Sequence, residues 1–352
     1  MRRTEPQGLE KAKPKLQLID FINRDPNLKR LAIICVLTFV IMGLLAPGSF
    51  LTMRNLRSMA FQFPEYGLLS IAILLAMLTG GIDLSVVGIA NLSSILAALL
   101  LTRFGSELSG VGELLLILGA ILVALITGLV GGALNGVLIS RIGITPILAT
   151  LGTMELFTGI GVVITKGTAV FGFPDRFVFI GNGTILGIPV PFLIFIVFAV
   201  IFSFLLRRTP FGFKLFMLGS NPTASQFSGI DKKEILFKTY VLTGILAACA
   251  GIVLMARTAS AKADYGTSYT LQAILVAILG GTNPAGGFGT VIGVVLAVFS
   301  LQFLSSGFNH LQISNFAKDF VWGGLLLLVM AFNYIMNMRS ERKKRESQLI
   351  GG

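Results

Sequence analysis

Residues 113–138 read ELLLILGAILVALITGLVGGALNGVL. After Glu113 no charged residue follows until Arg141. A helix of that length rises about 40 Å at 1.5 Å per residue. That exceeds the roughly 30 Å hydrocarbon core of a bilayer. No water-soluble helix needs so long an uninterrupted apolar surface, so this stretch predicts a transmembrane helix and sets the solvent for the whole chain.

The rest of the chain repeats the pattern. Hydrophobic residues make up 54% of the 352 and charged residues only 12%. A soluble domain carries about 25% charged residues, and half that number leaves too little polar surface to face water. The apolar runs predict spans at 31–47, 63–81, 84–102, 113–138, 145–165, 190–206, 235–256, 268–281, 288–306 and 318–337. The expected fold is therefore an all-α integral membrane protein, a polytopic bundle of about ten helices. It divides into an N-terminal tail at 1–30, a transmembrane domain at 31–338 and a basic C-terminal tail at 339–352. The tail at 1–30 has room for a short amphipathic helix near Leu16–Ile22, and it lacks the early apolar stretch of a cleavable signal peptide. The span at 268–281 is short. It suits a partial or broken helix, tolerated only where neighbouring protein covers the backbone.

The net charge is +12, and its placement argues against nucleic acid as the partner. Of 28 Lys and Arg, eight lie in 1–30, one at Arg141, six in 207–238 and five in 339–345. These 20 fall on one side of the predicted topology and eight on the other. Lys and Arg concentrate in cytoplasmic segments, so both termini are expected in the cytoplasm, which requires an even number of spans. The two cysteines, Cys35 and Cys249, sit in separate apolar runs, and the single histidine is His310. They offer neither a disulfide framework nor metal-ligand spacing. No metal site and no catalytic residue are expected.

Glycine is frequent. Gly128, Gly132 and Gly136 recur every fourth residue and so share one helix face. Such a stripe lets another helix approach closely, either within the chain or at a dimer seam. Two glycine-rich breaks, Thr79–Asp83 and Gly280–Pro284, follow apolar runs in the two halves of the chain. Interruptions in corresponding positions are one mark of an internally repeated transporter.

The long basic segment at 207–234 mixes Arg207, Arg208 and Lys214 with Phe211, Phe213, Phe216 and Phe227. A turn follows at Asn221-Pro222, then a helix-compatible stretch ending at Gly229. Exposed aromatics on a membrane-protein loop serve either a partner protein or packing beneath the bundle, and the residues alone leave both open.

This segment resembles the cytoplasmic coupling segment of ABC importer permeases for ribose, galactose, other simple sugars and autoinducer-2. Gly212, Gly219, Asn221, Ala224, Gly229 and Ile230 carry the resemblance. Three more blocks match in the same order: Gly81-Ile82-Asp83-Leu84-Ser85-Val86; Leu134-Asn135-Gly136 leading to Pro146 and Ala149–Thr153; and Leu279–Thr282 followed by Gly286–Thr290. Together they cover roughly residues 60–330. The chain departs from the pattern at Val87, where glycine is usual, at Thr158 in place of arginine, and at Gln272 in place of an acid. The last two remove charges from the transport half and leave the substrate unassigned.

The resemblance implies a bacterial inner-membrane, multi-pass permease subunit for a simple sugar or sugar-like molecule, working by alternating access. It implies two ABC ATPase subunits, a second permease chain (identical or related), a periplasmic sugar-binding protein and surrounding lipid. The sequence lacks a Gly-x-x-x-x-Gly-Lys-Ser/Thr phosphate loop. No cofactor is therefore expected on this chain; ATP and Mg would sit on the partner ATPase, and the chain is not expected to be an enzyme. Phe211, Gly212, Leu215, Gly219, Asn221, Ala224, Gly229 and Ile230 become the expected ATPase-coupling residues.

Polar residues within spans are candidates for the translocation pathway: Asp83, Asn91, Asn135, Thr153, Glu155 and Gln272. A charge at mid-bilayer costs about 2.5–3.5 kcal/mol on insertion scales, so Glu155 must face protein or water, or be protonated. Asp83 has a second reading as the N-cap of the third span, and the neutral residues a second reading as interhelical hydrogen-bond donors. If Asp83 or Glu155 relayed protons, the chain would be a proton-coupled secondary transporter of a small polar solute. That is the alternative to the importer.

Overall fold

The computed structural model describes residues 26–105 and 108–350. The short helix expected near Leu16–Ile22 lies outside the described residues. In chain order the helices are α1 (Pro26–Leu45), α2 (Met53–Leu78), α3 (Val86–Phe104), α4 (Val111–Val137), α5 (Pro146–Thr165), α6 (Asp175–Asn182), α7 (Val190–Arg208), α8 (Pro210–Ser220), α9 (Pro222–Phe227), α10 (Lys232–Thr258), α11 (Tyr269–Leu279), α12 (Val291–His310) and α13 (Asn315–Ile350). Among the described residues, eight helices are long and apolar enough to cross a membrane: α1 to α5, α7, α10 and α12.

Two points correct the expectation of an all-α chain. Val170–Phe171 (β1) pairs antiparallel with Ser260–Ala261 (β4), and Thr184–Ile185 (β2) with Ile188–Pro189 (β3). These two-residue ladders tie down the connections after α5 and α10, and α6 lies in the first of them.

Helix α2 begins ten residues before its predicted span. The apolar run marks where the helix enters hydrophobic surroundings, not where its backbone starts. Thr52 supplies the true start, its Oγ1 accepting from the Asn55 N–H at 3.3 Å. From Phe63 to Leu78 every residue of α2 is buried, which makes it the centre of the bundle. A helix apolar all round belongs inside other helices. Around it Phe63 meets Phe299 edge-on, with ring centroids 4.6 Å apart.

Helices α4 and α10 form the most extensive helix pair, and the glycine stripe is the reason. A methyl at Gly132 would lie 2.3 Å from the Tyr240 carbonyl oxygen, one at Gly128 2.4 Å from that of Gly244, and one at Gly136 2.9 Å from the Phe237 ring. The stripe is filled by α10 of the same chain and is not left open for a dimer seam. At its end α4 widens into a π turn, Leu138–Ile142, stopped by Gly143 at φ 87°.

The segment expected as a coupling loop is helical. Thr209 caps α8 through its Oγ1 to the Gly212 N–H at 3.3 Å, Asn221 caps α9, and Asp231 caps α10 with bonds to Lys233 and Glu234 N–H of 2.8 and 3.2 Å. The span expected at 268–281 is α11, whose eleven residues rise only about 16 Å. The expected span at 318–337 and the basic tail as far as Ile350 are one continuous helix, α13.

Candidate functional site

The blocks that carry the family resemblance meet at one junction. The first glycine break leaves the end of α2, the second leaves the end of α11, and the two are joined by the Gly287 N–H donating to the Leu78 carbonyl at 3.0 Å. The end of α8 is wedged against both. A Cβ on Gly219 would lie 1.8 Å from the Leu78 carbonyl oxygen and 2.4 Å from Gly287 N. Gly219 is thus required by close backbone approach. Gly229 is required differently, by φ 77°, in the left-handed region that side chains disfavour.

The aromatics of this elbow divide between the two readings the residues left open. Phe211 and Phe216 pack against the bundle core, beside fully buried Leu215 and buried Ile230. Gly212 is buried against the Leu206 carbonyl. Phe213 is 64% and Phe227 90% exposed, as are Asn221 and Ala224, whose cap bond is 2.9 Å. One set of side chains anchors the elbow and the other faces away from the protomer.

Asp83, Asn135 and Thr153 are brought together in a buried hydrogen-bond chain. Thr153 Oγ1 donates to Asn135 Oδ1 at 2.6 Å, and Asn135 Nδ2 donates to Ser85 Oγ at 2.7 Å. Ser85 Oγ donates to Asp83 Oδ1 at 2.6 Å, and Thr243 Oγ1 donates to Asp83 Oδ2 at 2.6 Å. The chain links α5, α4, the first glycine break and α10. Asp83 also accepts the Ser85 N–H at 3.0 Å. It lies two residues before the helix cap, because α3 begins at Val86 and not at Leu84. Asp83 therefore forms a turn ahead of α3 instead of capping it. Asp83 and Asn135 have no exposed surface. A buried polar group costs little once every partner is present, and here four elements supply them.

Asn91 stands apart from that chain. Its Nδ2 donates to the Ala263 and Tyr265 carbonyls at 2.9 and 2.8 Å, holding the connection after α10 against α3. Glu155 lies on the exposed face of α5, among Leu151, Leu156 and Val163. Gly152 and Gly159 share that face with nothing within 4 Å of where a side chain would start.

A third acid joins Asp83 and Glu155 among those within spans. Glu65, midway along α2, is 2% exposed. It forms an ion pair with Arg257 at the end of α10, with one contact at 3.0 Å, and it accepts the Tyr269 hydroxyl at 2.6 Å. The pair was missed because Glu65 opens an apparent apolar run and its partner is 192 residues away. The available signal was that Glu65 is the one charge in the span expected at 63–81 and that Arg257 stands one residue past the span expected at 235–256. The pair lines a cavity of about 330 Å³ between α2 and α10 to α13, which also takes in Gln272, Gln302 and Trp322. Among the described residues, no group of three or more His, Cys, Asp and Glu is arranged to hold a metal.

Comparison with known proteins agrees with the motifs. The family described as "Branched-chain amino acid transport system / permease component" matches residues 55–330. The chain is 38% identical to the ribose import permease protein RbsC of Bacillus subtilis, over 83% of this chain and 88% of that protein. It is 33% identical to the D-allose transport system permease protein AlsC of Escherichia coli, over 86% and 90%. It is 30% identical to the L-arabinose ABC transporter permease protein AraH of Azospirillum brasilense, over 90% and 91%. No solved structure matches. With its multi-pass apolar helices and four collinear blocks, the chain is a transmembrane protein that belongs to the branched-chain amino acid transport system permease component family, among whose members it is similar to the permeases of sugar ABC importers.

Proposed function

We propose that this chain is the membrane-spanning subunit of an ATP-driven importer of a simple sugar in a bacterial inner membrane. The observation that carries the reading is the elbow. Two exposed aromatics, Phe213 and Phe227, project from two short helices, the first of which ends packed against Leu78 at the end of α2 and Gly287 beyond the end of α11. An ATPase that grips the aromatics would move those ends directly, and through them the breaks at Thr79–Asp83 and Gly280–Pro284. The relatives named for ribose, D-allose and L-arabinose support a simple sugar as cargo. The partners are then two ATPase subunits, which carry ATP and Mg, and a periplasmic sugar-binding protein.

The same reading has ten crossings and both ends in the cytoplasm, with α11 and α13 added to the eight long spans. The 20-to-8 division of Lys and Arg supports it, and so does the elbow's position beside the basic segments. The expected result is sugar uptake in cells that stops when ATP is depleted and continues when the proton gradient is collapsed. The reverse pattern would favour the proton-coupled alternative. That alternative is less well supported, because Asp83 is enclosed and already accepts three hydrogen bonds. A reporter active only in the periplasm, fused to Gly352, should stay silent.

A second permease chain is part of the proposal. Glu155 has no ion-pair or hydrogen-bond partner among the described residues, yet it lies on the apolar face of a span. A lipid-facing carboxylate is costly at that depth, whereas a facing copy of α5 would enclose it beside water. Glu155→Cys is expected to cross-link to a second copy in membranes under mild oxidation. Efficient labelling of that cysteine by a lipid-soluble reagent, with no dimer band, would count against the arrangement.

A further inference from the structure

The cavity between α2 and α10 to α13 has a chemical character unlike the rest of the bundle. Its lining combines the aromatic side chains of Tyr66, Tyr269 and Trp322 with amide and guanidinium groups. Part of this lining is committed. Tyr66 donates its hydroxyl to Gln302 Oε1 at 2.8 Å, and Gln302 Nε2 donates to Gln62 Oε1 at 3.2 Å. Arg257 uses Nε and Nη2 on Glu65. These bonds hold the wall rigid, as a pre-formed small-molecule site requires.

Other lining groups are uncommitted. The Gln272 amide and the Ser305 hydroxyl have no hydrogen-bond partner among the described residues, and both residues line the cavity. So does Trp322, which is 4% exposed and whose indole N–H also lacks an acceptor there. The ring is buried while its N–H still opens to the cavity, so the donor is available to whatever the cavity holds. The free groups are an amide that both donates and accepts, a hydroxyl that does the same, and the indole N–H donor. An anion would meet the Glu65 and Asp319 carboxylates, and a cation would meet Arg257 and Lys318. A neutral molecule dense in hydroxyls, with C–H faces to lie on aromatic rings, satisfies the whole set.

We propose that this cavity is a solute-binding site contained within each protomer, which takes a neutral monosaccharide against Trp322 and Gln272. It rests on the reading of the chain as a sugar permease and deepens it, placing a binding site inside one subunit instead of only between two. Trp322 is the single tryptophan of the chain, so its fluorescence reads the cavity directly. The experiment titrates the full-length permease, alone in lipid nanodiscs, with a panel of aldopentoses and aldohexoses that includes D-xylose and D-galactose. Glycine betaine, which has no hydroxyl, is the control. We expect a saturable change with at least one sugar, half-complete below roughly 10 mM, and none with betaine. Gln272→Ala should weaken binding about fivefold, the scale of one neutral hydrogen bond, and Ser305→Phe should abolish it by filling the void. If Ser305→Phe does not fold, Gln272→Ala alone decides. A linear response, an equal response to betaine, or a saturable response that Gln272→Ala leaves unchanged would overturn the proposal. Because no ATPase is present, absent binding alongside intact ATP-driven sugar uptake would remove the cavity site and leave the importer reading standing.

Discussion

Gly219→Val is expected to abolish coupled uptake while the chain still inserts in the membrane. The new side chain begins 1.8 Å from a backbone oxygen and 2.4 Å from a backbone nitrogen, and backbone cannot swing aside as a side-chain end can. Overpacking of this kind costs about 1–3 kcal/mol even where side chains yield. Here the cheapest relief is for the end of α8 to lift off Leu78 and Gly287. The spans are apolar independently of α8, so insertion survives, and the lost element is the rigid link from the elbow to the two breaks. The measurements are membrane abundance, co-purification with the ATPase, and sugar-stimulated hydrolysis with binding protein present. Abundance near wild type with uptake reduced by about a hundredfold or more is the expected result, equivalent to roughly 2.7 kcal/mol of lost coupling. Normal stimulated hydrolysis in a stable Gly219→Val protein would remove the elbow from the coupling role.

The second large effect is expected at Arg257. Arg257→Met leaves the Glu65 carboxylate buried with only the Tyr269 hydroxyl for company. Removing one member of a buried ion pair costs about 3–5 kcal/mol, because the remaining charge is uncompensated. The double variant Glu65→Gln with Arg257→Met removes both charges and should recover most of that loss. Thermal unfolding in detergent, read for both single variants and the double, closes the cycle. A loss in the double variant equal to the sum of the two single losses would mean that the pair is not electrostatically coupled. Since the pair bridges α2 and α10 and touches α11, its loss is expected to loosen the cavity walls as well.

The spans were legible in the sequence because hydropathy alone dictates where a helix crosses lipid, and eight of them reappear within a few residues, α2 apart. What hydropathy does not see is the polar end of a helix. Arg54, Arg57 and Gln62 hid the first three turns of α2, and only the cap at Thr52 marks them. The elbow was readable as Asn221-Pro222 and Gly229, yet its division into anchored Phe211 and Phe216 and exposed Phe213 and Phe227 was not, since all four are the same residue type. The same holds for the polar candidates. Asp83, Asn135 and Thr153 are separated in sequence and become one unit only when α4, α5 and α10 meet. Glu65 and Arg257 were invisible as a pair because a lone charge beside an apolar run reads as a boundary.

The interlock of α4 with α10 has a consequence for how the protein is made. Gly128 and Gly132 meet Tyr240 and Gly244, which leave the ribosome long after α4 has entered the bilayer. Until α10 arrives, α4 presents a bare backbone groove to lipid, and nothing among α1 to α3 and α5 fills it. The first half of the nascent chain therefore waits half-assembled, a state in which membrane proteases and insertion chaperones meet it. Substitutions in α10 that slow its docking should then lower the yield of protein in the cell more than they lower the stability of the molecules that do mature.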